Sequence, residues 1–124
     1  MTQTRPTRKY DLEDRTAEFA KRVRALVRRL PRTLANIEDA KQLIRASGSV
    51  GANYIEANEA LGKKDFLMRV KICRKEAKES GYWLRLLDVG ANREVDQERN
   101  ALAQEAAELT SIFGSIVRKS GRSE

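Results

Sequence analysis

The chain has 124 residues, of which 40% are hydrophobic and 35% charged, and its formal net charge is +7. That length corresponds to a single domain, and a content of only two prolines and seven glycines disfavours loop-rich and all-β proteins. The single cysteine excludes an internal disulfide and fits a reducing compartment. No segment has the pattern of a signal peptide or of a membrane span of about 20 apolar residues, so a cytoplasmic protein is expected.

The first predicted helix follows a flexible basic leader, residues 1–10, and Asp11 can cap it. Apolar or small side chains then recur at steps of four and three residues along one helix face, which predicts burial against other helices. Pro31 ends this helix. The apolar stripe consists of Leu12, Thr16, Phe19, Val23, Leu26 and Leu30.

Positive charge is concentrated in this first region. Residues 1–32 contain ten Lys or Arg and four Asp or Glu, a balance of +6, whereas residues 33–124 contain fifteen and fourteen, a balance of +1. Such asymmetry indicates a polyanionic partner, although a solvated helix surface has the same composition. The candidate nucleic-acid-binding residues are Lys21, Arg22, Arg24, Arg28, Arg29 and Arg32, and four of them (Lys21, Arg24, Arg28 and Arg32) fall opposite the apolar stripe.

The second predicted helix begins near Asn36, which can cap it, and runs to about Leu61, where Gly62 breaks it. Its core stripe is predicted to be Ile37, Ile44, Gly48, Gly51 and Ile55. A glycine inside a helix costs about 1 kcal/mol relative to alanine. The small residues therefore predict close packing against another helix, since a phosphate-binding loop would need a GxxxxGK[ST] motif after a strand. The close-packing candidates are Ser47, Gly48, Gly51 and Ala52.

The third helix is predicted from about Lys63 to Gly90, with Cys73 as a small apolar residue on its core stripe. The fourth is predicted from about Asn92, again with apolar residues near heptad spacing. Short connections make successive helices antiparallel neighbours. The predicted fold is therefore all-α: an antiparallel up-down-up-down four-helix bundle over residues 11–119, followed by a disordered tail at 120–124.

The second and third helices each have additional apolar residues away from their predicted core stripes. A monomer would leave such residues exposed, and large exposed apolar patches usually mark interfaces. Self-association is therefore predicted, with the alternative that Trp83 completes a wide core. The candidate interface residues are Leu43, Val50, Tyr54, Met68, Ile72, Trp83 and Leu86.

An enzymatic alternative rests on two acidic pairs, Glu56 with Glu59 and Glu76 with Glu79. All-α nucleotide pyrophosphohydrolases use paired carboxylates on adjacent helices to hold Mg²⁺. With a turn at Gly62, Glu59 lies about 4.5 Å and Glu76 about 21 Å from it along the helix axes, so the pairs are too far apart to share an ion. A di-iron site would require histidine, which the chain lacks. We expect no catalytic residue, metal or cofactor, while the roles of Asn53, Glu56 and Glu76 stay open.

Four segments, taken together, resemble the 23S ribosomal-RNA intervening-sequence protein family, whose members are four-helix bundle proteins. They span about residues 10–119. The family is similar in architecture to the accessory variability proteins of diversity-generating retroelements, which are basic, barrel-like homopentamers that bind nucleic acid and a reverse transcriptase. The resemblance therefore implies a cyclic pentamer and nucleic-acid contact. The segments are YDLEDRTAEFAKRV, QLIRASGSVGANYIEANEA, KKDFLMRVKICRKEAKESGYWLRLL and ELTSIFGSIVRK.

The functional expectation combines these observations. No helix-turn-helix, zinc or RNP-type motif is present, so contacts would be made to the nucleic-acid backbone rather than to bases, and arginine provides planar, bidentate phosphate contacts. We expect a non-enzymatic, oligomeric protein that binds RNA or DNA with little sequence specificity. The alternatives are a protein scaffold or accessory subunit, for example of a reverse transcriptase, and more remotely a Mg²⁺-dependent nucleotide pyrophosphohydrolase.

Overall fold

The computed structural model describes residues 8–122 of the chain. Four α-helices make up most of this range: α1 (Arg8–Arg28), α2 (Leu34–Asn58), α3 (Lys63–Leu86) and α4 (Arg93–Arg122). The described residues contain no β-strand, which confirms the all-α prediction. None of the four helices has a stretch long and apolar enough to cross a lipid bilayer.

The helices enclose one core. Each helix packs against the next one along the chain, and α1 also packs against α4. Residue numbers rise along one helix as they fall along its neighbour: in α2 and α3, Arg45 contacts Glu79 and Asn53 contacts Arg69. The short connections predicted from the sequence therefore join helices that lie side by side.

The N-cap of α2 is Thr33. The sequence pattern predicted Asn36 at this position. Thr33 Oγ1 accepts the Asn36 N–H at 3.1 Å, which is a capping contact. The Asn36 side chain is buried, and its amide donates to the carbonyl oxygens of Pro31 (2.9 Å) and Asp88 (2.8 Å), while its Oδ1 accepts the Asp88 N–H (3.0 Å). Asn36 therefore ties the α1–α2 connection to the α3–α4 connection.

The outer ends of the bundle differ from the predicted bounds. α1 begins at Arg8, three residues before the predicted cap at Asp11, and residues 1–7 of the predicted leader lie outside the described range. α4 extends to Arg122, which differs from the predicted disordered tail at 120–124, because neither Ser120 nor Gly121 excludes helical backbone. Residues 123 and 124 lie outside the described range.

The core contains the apolar stripe predicted for α1. All six of its residues are buried, and the polar member, Thr16, is satisfied because its hydroxyl donates to the Leu12 carbonyl at 2.7 Å. Burying a side chain such as Phe19 contributes about 1.5–3 kcal/mol to folding. Cys73 is also buried, as predicted, and burial raises the pKa of its thiol to about 12.

The core face of α2 lies about 100° from the predicted one. Leu43, Val50 and Tyr54, which were predicted to form a second, exposed face, are buried in the core, and the Tyr54 ring lies 5.7 Å from that of Phe113. Burial raises the pKa of Tyr54. The predicted core residue Ile55 is instead half-exposed. The two stripes of α2 are similarly apolar, so its sequence alone does not distinguish them.

The small residues of α2 mark the approach of α1. A Cβ on Gly51 would lie only 2.8 Å from Thr16 Oγ1 and 3.2 Å from Thr16 Cβ, so no larger residue fits there without a shift of the helices. The close approach at Gly51 is the geometry that the predicted packing role requires. Ser47 is also buried, and Gly48 faces the Arg24 guanidinium, but Ala52 is exposed and takes no part.

Candidate nucleic-acid interface

Three arginines of α1 and its C-terminal turn are neutralised by glutamates of α4. They are seven residues apart, and a step of seven returns to the same face of a helix, so all three lie against α4. The contacts are Arg15 Nε to Glu105 Oε2 (2.7 Å), Arg15 Nη2 to Glu108 Oε1 (2.8 Å), Arg22 Nε to Glu98 Oε2 (2.9 Å) and Arg29 Nη2 to Glu94 Oε1 (3.2 Å).

Two of these pairs have the parallel, two-bond geometry that guanidinium and carboxylate groups favour. Arg15 and Arg22 each place Nε and Nη2 on the two oxygens of one glutamate, and the hydrogen bonds raise the pKa of both arginines. Because both arginines are about a third exposed to solvent, each pair contributes at most about 1 kcal/mol. Their larger consequence is that Arg22 and Arg29, both candidate phosphate ligands, are already bound to carboxylates.

The other candidate cations of this region point away from α4. Lys21, Arg28 and Arg32 are exposed, and no carboxylate among the described side chains pairs with them. Arg24 is half-buried and donates from Nη1 to the Ala20 carbonyl at 3.1 Å. We call Lys21, Arg24, Arg28 and Arg32 the basic α1 surface.

The candidate interface residues divide between core and surface. Those of α2 belong to the core, as described above. Those of α3 lie on one stripe: Met68 and Leu86 are about half-exposed, while Ile72 and Trp83 are partly buried. Trp83 packs against the core and also donates from Nε1 to Glu79 Oε2 at 3.0 Å. We call these four residues the apolar α3 stripe.

A polar cluster lies beside the apolar α3 stripe. Arg45 of α2 pairs with Glu79 Oε2 at 2.8 Å and approaches Glu76 Oε1 at 3.6 Å, which is too long for a hydrogen bond. Glu76 is buried, and its Oε1 has no hydrogen-bond partner. A buried acceptor without a donor is unfavourable by about 1–3 kcal/mol, and the nearby Arg45 charge offsets part of this cost.

A groove of about 440 Å³, which was not predicted from the sequence, runs between α3 and α4. Its floor consists mainly of alanine and glycine, and its rim includes three cations and an exposed aromatic ring. None of the ten residues that line it is acidic. They are Arg74, Ala77, Lys78, Gly81, Tyr82, Arg85, Ala103, Ala106, Ala107 and Thr110.

The groove lies on the most basic helix. α3 contains eight Lys or Arg and three Asp or Glu, a balance of +5, whereas α1 contains seven and four, a balance of +3. Two of the three acids of α3, Glu76 and Glu79, face Arg45 of α2. The positive charge on the α4 side of α3 is therefore left without internal neutralisation.

The fold and these surfaces can be compared with those of known proteins. The family model described as 23S rRNA-intervening sequence protein matches residues 8–115, which include parts of all four helices. The chain belongs to this family. A member of the S23 ribosomal protein family from Bacteroides thetaiotaomicron, whose crystal structure is titled as that of a protein with unknown function, is 30% identical. Its alignment covers 89% of this chain and 97% of that one, with a TM-score of 0.71. No curated protein matches the chain.

Family membership confirms the resemblance on which the sequence analysis relied, but the distribution of charge comes from the structure. Lys71, Arg74, Lys78 and Arg85 recur at steps of three, four and seven residues, a pattern that places them on one helix face. The sequence thus contained a signal for this face. The net charge of residues 33–124 does not reveal this face, because it combines acidic and basic residues that lie on different surfaces.

Proposed function

We propose that this family member is a non-enzymatic protein that binds the backbone of RNA or DNA with little sequence preference. The supporting observation is the division of charge around α1. Arginines that face α4 are bound to glutamates, whereas the basic α1 surface has no carboxylate partner among the described side chains. Lys21, Arg24 and Arg28 follow steps of three and four residues, so they form one cationic strip.

Phosphate contacts would provide both affinity and salt sensitivity. Each lysine or arginine that neutralises a phosphate releases condensed counterions, so binding weakens as salt concentration rises. The basic α1 surface offers only a few such contacts on one protomer. In a homo-oligomer the same strip is repeated, and several weak contacts on one strand raise the overall affinity without new chemistry.

We further propose an up-down-up-down bundle that assembles into a cyclic homo-oligomer, with a pentamer as the expected number. The apolar α3 stripe supports assembly, because Met68 and Leu86 are large apolar side chains that are 48% and 46% exposed. A reverse transcriptase or another polypeptide docked on this stripe is the alternative occupant.

The acidic pairs fit structural roles better than metal-dependent hydrolysis. Glu76 and Glu79 both face the Arg45 guanidinium, which occupies the place that a cation would take. Among residues 12–121, no three potential metal-ligating side chains lie together. We therefore assign no catalytic role to Glu56, Glu59, Glu76 or Glu79.

The test is a comparison of two charge-reversed variants with the same net charge. Lys21→Glu with Arg28→Glu alters the basic α1 surface, and Lys64→Glu with Arg93→Glu alters exposed cations elsewhere. Binding of labelled RNA and DNA is measured by fluorescence anisotropy between about 50 and 200 mM salt. We expect the first variant to bind at least about tenfold more weakly, with a salt slope smaller by about 1.4–1.8 for two lost contacts, and the second to resemble the parent.

A parent protein that binds neither RNA nor DNA at low salt would contradict the proposed function. The protein-scaffold alternative would then take its place. Equal losses in the two variants would also count against the proposal, because they would show a general effect of net charge and not a surface.

A further inference from the structure

We propose that the α3/α4 groove binds single-stranded nucleic acid, with a base stacked on Tyr82 and the phosphates held by Arg74, Lys78 and Arg85. The inference rests on the proposed nucleic-acid function and adds to it a second surface and a preferred form of the ligand. It concerns the opposite side of α4 from the glutamates that neutralise α1.

Charge complementarity argues for an anionic occupant. Arg74, Lys78 and Arg85 have no carboxylate partner within the described part of the chain, and none of the residues that line the groove is acidic. Arg74 and Arg85 are separated by about 16 Å along the helix axis, at 1.5 Å per residue. A row of cations of this length suits a chain of phosphates better than a single small anion.

Two guanidinium groups converge at one end of the groove. A Cβ placed on Gly114 of α4 would lie 3.4 Å from Arg118 Nη1 and 3.6 Å from Arg74 Nε. Both positive groups therefore lie beside the same glycine. A phosphate placed between them would accept hydrogen bonds from both guanidinium groups, which are well suited to phosphate.

The groove also offers a stacking surface. Tyr82 is 48% exposed on the rim, and its ring lies 5.0 Å from that of Trp83 in an edge-to-face arrangement. Trp83 in turn donates a hydrogen bond to Glu79, so the indole that supports one side of the Tyr82 ring is itself held in place. Gly81 and Ala106 lie close together on the floor of the groove, since a Cβ on Gly81 would be 3.6 Å from the Ala106 Cβ.

These features together favour a single strand over a duplex. Cationic grooves lined with aromatic rings bind single strands because every unpaired base has a face that can stack. Bases within a duplex already stack on each other and are not available to Tyr82. A helix from a second copy of the chain would also fit an alanine-lined floor, but it would have to place acidic residues along the rim.

The first experiment measures binding of labelled single strands and of the matching duplex by fluorescence anisotropy. The oligonucleotides are longer than the roughly 4–16 nucleotides that such sites cover. Arg74→Glu with Arg85→Glu is compared with the control Lys64→Glu with Arg93→Glu, which has the same net charge. We expect the groove variant to lose at least about tenfold in single-strand affinity and to reduce the salt slope by about 1.4, with a smaller loss for the duplex.

The second experiment tests the tyrosine. Tyr82→Ala is expected to weaken single-strand binding by about tenfold or more, since stacking on one aromatic ring accounts for such a factor, while Tyr82→Phe keeps the ring and binds as the parent does. An oligonucleotide containing 5-iodouracil is expected to crosslink to the peptide that contains Tyr82. Thermal unfolding of each variant shows whether the bundle is intact.

Three outcomes overturn the inference. If the groove variant and Tyr82→Ala bind single strands as the parent does, while Lys21→Glu with Arg28→Glu loses binding, the proposed function stands and the groove is not part of it. If the groove variant changes the mass of the assembly without changing binding, the groove holds a second copy of the chain. A parent that binds no nucleic acid contradicts both proposals.

Discussion

α1 and α3 are both basic helices, but the faces of α4 that pack against them differ in charge. Facing α1, it presents Glu94, Glu98, Glu105 and Glu108, which bind three arginines. Facing α3, it presents Ala103, Ala106 and Ala107, which leave the cations of the groove without partners. A basic helix is therefore available to a polyanion only on the faces where its neighbours have no acids.

The same contrast separates energetic roles. Arginine–glutamate pairs at the α1/α4 boundary are partly solvated and stabilise the packing only modestly. The groove cations Arg74, Lys78 and Arg85 have no such carboxylate partner among the described side chains, so they gain no comparable stabilisation within the protomer. Their charge is therefore left available to an anionic partner.

The largest expected effect concerns assembly and separates the two exposed faces of α3. Met68→Glu with Leu86→Glu places charges on the apolar α3 stripe but leaves the groove unchanged. Light scattering coupled to size exclusion is expected to show a mass several times 14.1 kDa for the parent and 14.1 kDa for the variant. Leu34→Glu, which alters an exposed leucine outside the stripe, serves as the control. A parent that is monomeric at micromolar concentration would show that the stripe has another role.

The next effect concerns the close contact between α1 and α2, which helps to hold α1 in the position where its arginines pair with α4. Gly51→Leu is expected to lower the free energy of unfolding by about 1–3 kcal/mol or more, because the side chain would collide with Thr16. Denaturant unfolding monitored by circular dichroism measures the loss. Gly121→Ala is the control, since a Cβ there meets nothing within 4 Å. A Gly51→Leu variant as stable as the parent would disprove the packing role.

A smaller effect is expected when one of the arginine–glutamate pairs between α1 and α4 is broken. Glu98→Lys frees Arg22 and opposes it with a like charge, so we expect stability to fall by about 1 kcal/mol and affinity for RNA or DNA to rise. Combining Arg22→Glu with Glu98→Lys restores opposite charges, and a double-mutant cycle isolates the coupling. Glu56→Lys makes the same charge change at an exposed position. If it raises affinity equally, the gain comes from net charge and not from Arg22.

The effect that is smallest at neutral pH, and grows only in alkali, is a pH dependence from the buried thiol. The folded pKa of Cys73 is about 12, above the ordinary value of 9.0, so above pH 9 the unfolded chain releases the thiol proton before the folded chain does. Stability is therefore expected to fall as pH rises from about 9 to 12. Comparing the pH dependence of Tm with that of Cys73→Ala isolates this contribution. Parallel curves for the two proteins would argue against it.

Much of the fold followed from the sequence because helical periodicity is local. The stripe from Leu12 to Leu30, the start of α3 at Lys63 and the start of α4 near Asn92 depend on residues within a few turns of one another, and the structure contains all of them. The family could also be predicted from the sequence, since membership rests on the order of short segments along the chain.

Tertiary structure alone decided which faces are free. α2 has two similar apolar stripes, and contact with both α1 and α3 buries the one with Leu43, Val50 and Tyr54. Arg22 and Arg28 are the same residue type on the same helix, yet Arg22 pairs with Glu98 and Arg28 is exposed to solvent. Periodicity defines the faces of a helix, but the identity of the neighbour on each face depends on contacts between residues far apart in the chain, and those contacts determine which charges can bind a partner.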